Sequence, residues 1–178
     1  MCIRDRIYEL KKYGDPILRE KSTEVEVIDE KIQEVLDNMV ETMYETKGVG
    51  LAAPQIGLNK RMFVADWSGE GEALRKVINP VITPLTEELI DWEEGCLSVP
   101  GIYKKVERPK KVRIEYLNEK GENVVEELEG FPAIVVQHEF DHLDAILFVD
   151  RVSPMAKRMI NKKLQALKKE TLKSLTEE

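Results

Sequence analysis

QHEFDHL, from Gln137 to Leu143, decides how the rest of the chain is read. The chain has two histidines, and both lie here, four apart, with a glutamate directly after the first. In a helix, residues four apart share a face. His138 and His142 would then offer two imidazoles to one metal ion, with Glu139 in reach of a water on it. Taken alone, the same pattern fits a solvated helix with two surface histidines. Phe140 and Leu143 argue that the helix is partly buried, and Ile134 and Val135 stand one turn before His138. An imidazole face continuing an apolar face sits at the edge of a cleft.

A third ligand is found upstream, in EGCLSVP (94–100). A lone cysteine is most often a small buried hydrophobe, but Glu93, Glu94, Gly95 and Ser98 around Cys96 describe a polar turn. A Cys–His–His set supplies three protein ligands and leaves a fourth tetrahedral position open, as catalytic sites do. Blue-copper sites share these ligand types, but they do not place a glutamate beside a helical ligand, and their ligand loop is not seen here. The chemistry is therefore read as hydrolysis. A divalent cation lowers the pKa of water from about 16 towards 7 and polarises the carbonyl under attack. Glu139 takes the proton and passes it to the leaving amine. Gln55, in GVGLAAPQIG (48–57), and a backbone N–H beside Cys96 are the candidate oxyanion donors. Most loop glutamines are simply solvated, and the sequence alone does not separate the two roles.

A chain of 178 residues suits one domain with a sizeable core. Hydrophobic residues at 42% and charged ones at 34% describe a soluble globular protein. No apolar run approaches the roughly 18 residues of a membrane span, and MCIRDRIYELKKYGDPILRE lacks the apolar core of a secretory signal. A net charge of −7 argues against DNA or other nucleic acid as the main partner. Cys2 and Cys96 are too few for a disulfide scaffold, so a reducing, cytoplasmic setting is expected. Residues 1–6 carry no pattern and read as a ragged or non-native start.

Helical spacing of Ile32, Val35, Leu36, Met39, Val40, Met43 and Tyr44 predicts a helix from Asp29 to Thr46, with Asp29 as N-cap and Gly48 as the stop. GVGLAAPQIG reads as loop. Strands are expected at 61–67, 76–82, 85–92, 112–117 and 123–128, the last two joined by a hairpin turn at Asn118–Gly121. A helix over Gly130–Leu143 tolerates Pro132 in its first turn, and Ser153–Pro154 opens a third. Strands and helices without regular alternation indicate α+β.

GVGLAAPQIG, EGCLS and QHEFDHL together resemble, in order and spacing, the three motifs of bacterial-type peptide deformylases, which remove the formyl group from the initiator methionine of nascent proteins. The likeness runs from Asp15–Arg19 to Phe148–Arg151. It implies that Cys96, His138 and His142 hold the metal, that Glu139 is the general acid/base, and that Gln55 and the Leu97 N–H hold the formyl oxygen. It sets Val49, Gly50 and Gly95 beside the substrate backbone. It implies one domain over 1–178, with antiparallel sheets packed around the HExxH helix and helices before and after. The metal it implies is Fe²⁺, with Zn²⁺, Ni²⁺ or Co²⁺ as substitutes. Phe131, Ile134 and Val135, with Trp92, are expected to form an apolar pocket for methionine. Two residues depart from the pattern: Ala145 stands where a helix-ending glycine is usual, and Trp92 where a smaller apolar residue is common. The rival readings are a true HExxH metallopeptidase and an inactive deformylase-like binding module. Thiolate ligation and the missing third peptidase motif count against the first, and the intact ligands and glutamate against the second.

The segment 153–178 carries Ala156, Ile160, Leu164, Leu167, Thr171 and Leu175 on one face. Lys157, Arg158, Lys162, Lys163, Lys168, Lys169 and Lys173 against Glu170, Glu177 and Glu178 give it +4, leaving −11 for residues 1–152. Two readings stay open: a solvated basic face, or contact with an RNA-rich surface such as the ribosome. A monomer is expected, with no membrane partner.

Overall fold

The computed structural model describes residues 6–177; Cys2 and all but Arg6 of the stretch read as a non-native start lie outside them. Gly50–Ala52 (β1), Met62–Ala65 (β2) and Arg75–Pro84 (β3) join Lys111–Leu117 (β6) and Asn123–Glu129 (β7) in one antiparallel sheet, ordered β1-β2-β3-β6-β7. Leu89–Cys96 (β4) and Val99–Pro109 (β5) form a separate antiparallel pair. The α-helices are Glu30–Glu45 (α1), Phe131–Leu143 (α2) and Pro154–Thr176 (α3). The α+β class and its antiparallel sheets are as the sequence predicts.

The Asp29 carboxylate accepts from the Ile32 N–H at 3.0 Å and starts α1, which buries Leu36, Met39 and Met43. The large sheet lies between α1 and α2. Along β2, Phe63 and Ala65 face the α2 side while Met62 and Val64 face the α1 side. A strand covered on both faces has no polar side, so its sequence is a continuous apolar run. Beyond α2, the apolar residues of β5 (Val99, Ile102, Val106) pack with Leu147, Phe148 and Val149, and with Ile160 and Leu164 of α3. Thus α2 is held by the sheet on one side and the β4–β5 pair on the other.

Two stretches differ from the sequence reading. GVGLAAPQIG contains β1 and a 3₁₀ turn, Ala53–Ile56; its glycines and proline mask a three-residue edge strand. The strand expected over 85–92 begins at Leu89 and runs on to Cys96, and β5 was not anticipated at all. Pro100, Gly101 and four charged residues break its apolar alternation, and one of its buried residues is Arg108.

Candidate active site

Cys96 pairs with Val99 across the β4–β5 hairpin, so the connecting loop is only Leu97–Ser98. This tight turn carries the thiol to α2, where Cys96 Sγ lies 3.4 Å from His142 Nε2. The helical spacing sets the two imidazoles 5.2 Å apart between ring centroids. One ligand atom each from Cys96, His138 and His142 falls within 4.8 Å of the others.

Behind these groups runs a chain of buried charges. The His138 Nδ1–H donates to Glu94 Oε1 at 2.8 Å, which turns Nε2 to the cluster. Arg108 grips Glu94 with Nε and Nη2, at 2.6 and 2.9 Å, and reaches Asp141 with Nη1 at 2.9 Å. Arg151, exposed at the surface, closes the series on Asp141 at 2.8 Å. The "polar turn" read around Cys96 is therefore only half right: Glu94 and Ser98 are buried, and they are polar because they serve other buried groups.

The donor set suits a divalent cation. Burial pulls the His142 pKa well below its usual value, which keeps the imidazole neutral and able to ligate. For His138, burial acts in the same direction, but hydrogen bonds with Cys96 and Glu94 and the charge of Glu139 outweigh it and raise the pKa well above normal. Positive charge is thus favoured between these groups. Burial pushes the Glu139 carboxyl up to about 7, and a nearby cation would oppose that shift. Glu139 Oε2 and His142 Nδ1 are buried with no hydrogen-bond partner among the described residues.

A cavity of about 500 Å³ opens onto the cluster, lined by His138, Glu139, Cys96, Leu97 and Gln55. Val49, Gly50, Gly95, Trp92, Phe131, Ile134 and Val135 complete the wall expected from the sequence, and only His142 lies behind it. Gln55 is not a solvated loop residue but 2% exposed. Its Oε1 accepts from the Ala52 N–H at 2.9 Å, while Nε2 donates to Ser98 Oγ at 3.0 Å and faces Cys96 Sγ at 3.6 Å. A Cβ on Gly50 would stand 2.5 Å from Glu139 Oε1, so only glycine lets the carboxylate lie there.

The sequence profile of the family described as Polypeptide deformylase matches residues 7–158. The chain belongs to the peptide deformylase family. A peptide deformylase of Fusobacterium nucleatum is 63% identical over 167 residues, covering 93% of this chain and 95% of that one. One from Thermotoga maritima is 46% identical over 158 residues, covering 89% and 94%. Among solved structures, a plant peptide deformylase superposes with a TM-score of 0.90 at 38% identity, covering 94% of this chain and 92% of that one. Members of the deformylase family are metal-dependent hydrolases, and this chain is one.

Within the deformylase cleft, Trp92 is 43% exposed, lines the cavity and stacks on Phe131 with centroids 5.2 Å apart. Sequence reasoning missed Glu94, Arg108, Asp141, Tyr103 and Lys12. Glu94 had a signal, since residues two apart on a strand share a face and Cys96 is two further on. Tyr103 had none. Its ring lies where a Cβ on Gly95 would be, 2.5 Å away, and this contact depends on the irregular register between Glu94 and Cys96.

Proposed function

We propose that this chain removes the N-formyl group from the initiator formyl-methionine of nascent polypeptides, releasing formate, and that it does so as one catalytic domain. The observation that carries this reading is the Glu139 carboxylate, buried and free at one oxygen, beside a Cys–His–His set at the inner end of an apolar cavity. Cys96, His138 and His142 would hold one divalent cation, Fe²⁺ by the family resemblance, with Zn²⁺, Ni²⁺ or Co²⁺ as substitutes. When bound, it supplies Lewis-acid polarisation of the formyl carbonyl and makes water acidic enough to attack near neutral pH.

The rest falls to the protein's own groups. Glu139 accepts a proton as water adds to the formyl carbon. It returns that proton to the amine as the C–N bond breaks, leaving formate and a free methionyl terminus. Gln55 Nε2 and the Leu97 N–H donate to the oxygen that gains charge. Val49, Gly50 and Gly95 flank the substrate backbone, while Phe131, Ile134, Val135 and Trp92 receive the methionine side chain. A nascent formyl-methionyl substrate supports a cytoplasmic setting at the ribosome, where the enzyme would work as a monomer. No helix among the described residues is long and apolar enough to cross a membrane. The exposed Arg158, Lys162, Lys163, Lys169 and Lys173 of α3 would meet ribosomal RNA.

Formate release from formyl-methionyl peptides, against their unformylated counterparts, tests the reaction and separates it from peptidase activity. Glu139→Gln should keep its metal and lose about 10²–10⁴-fold in kcat. Comparable turnover by that variant would remove Glu139 from the mechanism. For the ribosome, salt-sensitive co-sedimentation should weaken when Lys162, Lys163 and Lys169 are changed to alanine; unchanged binding leaves α3 a structural role.

A further inference from the structure

We propose that the groove between the N-terminal segment and α3 is a second substrate site, taking downstream residues of the same nascent chain and preferring lysine or arginine there. The proposal rests on the deformylase reading of the main cleft. The groove is a cavity of about 240 Å³ walled by the segment Glu9–Lys12 with Asp15 on one side and by the last turns of α3 on the other. Lys12 and Pro100 line both this groove and the catalytic cavity, so the two share a rim. A chain leaving the cleft over Pro100 would meet the groove at this shared rim.

The N-terminal wall is bonded to the catalytic loops. The Lys11 N–H donates to the Gln55 carbonyl at 2.7 Å, Lys12 Nζ to the Leu97 carbonyl at 3.0 Å, and the Tyr13 N–H to the Ser98 carbonyl at 2.8 Å. The groove is thereby held in register with Gln55 and Leu97, the two proposed oxyanion donors. At Gly14 the segment comes so close to α3 that a Cβ would stand 2.9 Å from the Lys168 Cα.

Its chemistry sorts the occupant. Leu10, Pro100, Leu167 and Leu175 make the apolar part, while Glu9, Asp15 and Glu170 supply carboxylates with no ion-pair partner among the described residues. Of the two lysines present, Lys12 is engaged with a carbonyl and the Lys11 stem lies against Gly57. Long cationic side chains cover apolar surface with their stems and keep the charge at the polar edge. The groove side of α3 would thus draw a basic peptide, while Arg158, Lys162, Lys169 and Lys173 on its other side would draw phosphate; Lys163, seven residues before Glu170, stands on the groove side, one turn before Leu167.

The test compares the metal-loaded enzyme on a formyl-methionyl tripeptide and on two formyl-octapeptides that share its first three residues. An octapeptide extends to at most about 28 Å. One octapeptide carries two lysines at positions five and six, the other two glutamates. The lysine octapeptide should show kcat/KM about fivefold above the glutamate one, the size of an exposed charge pair, through KM. In the double variant Glu9→Lys, Glu170→Lys that ratio should fall to one or below. Turnover of the tripeptide with equal kcat/KM for the two octapeptides overturns this proposal alone. A ratio that survives in the double variant puts the selectivity elsewhere and also overturns it. Absence of tripeptide turnover sinks the deformylase reading, and this proposal with it.

Discussion

In α2 nine of 13 residues are buried, among them Glu139, Asp141 and His142; in α3 only Ile160 and Leu164 of 23 are. Both helices are recognisable in the sequence, yet they rest on different physics. The charges of α2 lie in a low-dielectric interior, where each must meet a partner or shift its pKa. The charges of α3 lie in water and cost almost nothing to keep. A charge inside this protein is therefore a structural or chemical commitment, whereas a charge outside chooses partners. One buried charge should matter far more to stability than several exposed ones.

The largest effect should follow from breaking the buried chain at its centre. Arg108→Met leaves Glu94 and Asp141 without their shared cation, and losing one partner of a buried ion pair costs about 3–5 kcal/mol. It also frees Glu94, which fixes the His138 ring, so metal affinity should fall about 10–100-fold. Lys163→Met on the exposed face of α3 should stay within about 0.5 kcal/mol. Thermal melts and metal titration of both variants would measure the contrast; equal melting temperatures would break it.

How much of this was legible follows from how far apart in the chain the partners lie. His138, Glu139 and His142 could be read together because a helix turns their spacing into proximity. Ile134 and Val135 were read with them for the same reason. Cys96 was found because few residue types can complete such a set. Arg108 meets Glu94 across two strands whose register sets Lys104, not Arg108, opposite Glu94, and one of those strands the sequence hid; Lys12 meets Leu97 from 85 residues away. No local pattern encodes either contact. The strand β5 escaped because a buried arginine held by carboxylates looks, in sequence, like a solvated one.

A smaller effect, and one with a pH signature, separates buried carboxylates held by cations from those held by neutral donors. Asp66 is fully buried and accepts from Tyr44 Oη at 2.6 Å, Ser68 Oγ at 2.6 Å and the Gly71 N–H at 2.7 Å. Burial alone would raise its pKa, but the hydrogen bonds from Ser68, Tyr44 and Gly71 outweigh it and hold it at about 2, against an ordinary 3.8. A depressed carboxylate stabilises the fold above the unfolded-state pKa and loses that contribution as pH falls through the folded one. The contribution of Asp66 should be whole above about pH 4.5 and decline between 3.8 and 2. Melting temperatures of the wild type and Asp66→Asn should therefore converge across that window. Parallel curves would show that Asp66 is not ionised in the fold.

The smallest effect lies where α2 ends. Ala145 has φ 63, a left-handed conformation that glycine adopts freely and alanine does not. Its N–H donates to the His142 carbonyl at 3.3 Å, and the Ile146 N–H reaches the Asp141 carbonyl at 2.9 Å, the pair of bonds that closes a helix around a left-handed residue. The helix α1 ends in the same way at Lys47, φ 58, with the Lys47 N–H on the Tyr44 carbonyl at 3.1 Å and the Gly48 N–H on the Met43 carbonyl at 2.9 Å. Both positions hold a side chain where a glycine would relieve the backbone. The relief is about 1 kcal/mol, and the greater freedom of glycine in the unfolded chain takes back part of it. For a protein of this size Ala145→Gly should raise the melting temperature by at most about 2–4 °C. Arg19 Nη1 bonds the Ala145 carbonyl at 3.2 Å, and because that acceptor is backbone the substitution keeps it. Deformylation rates should stay the same, since Ala145 does not line the catalytic cavity. Lys47 does line it, so Lys47→Gly should bring a similar thermal gain together with a change in KM. A lower melting temperature for Ala145→Gly would mean that the alanine methyl contributes more to packing beside the metal ligands than the backbone loses by holding it.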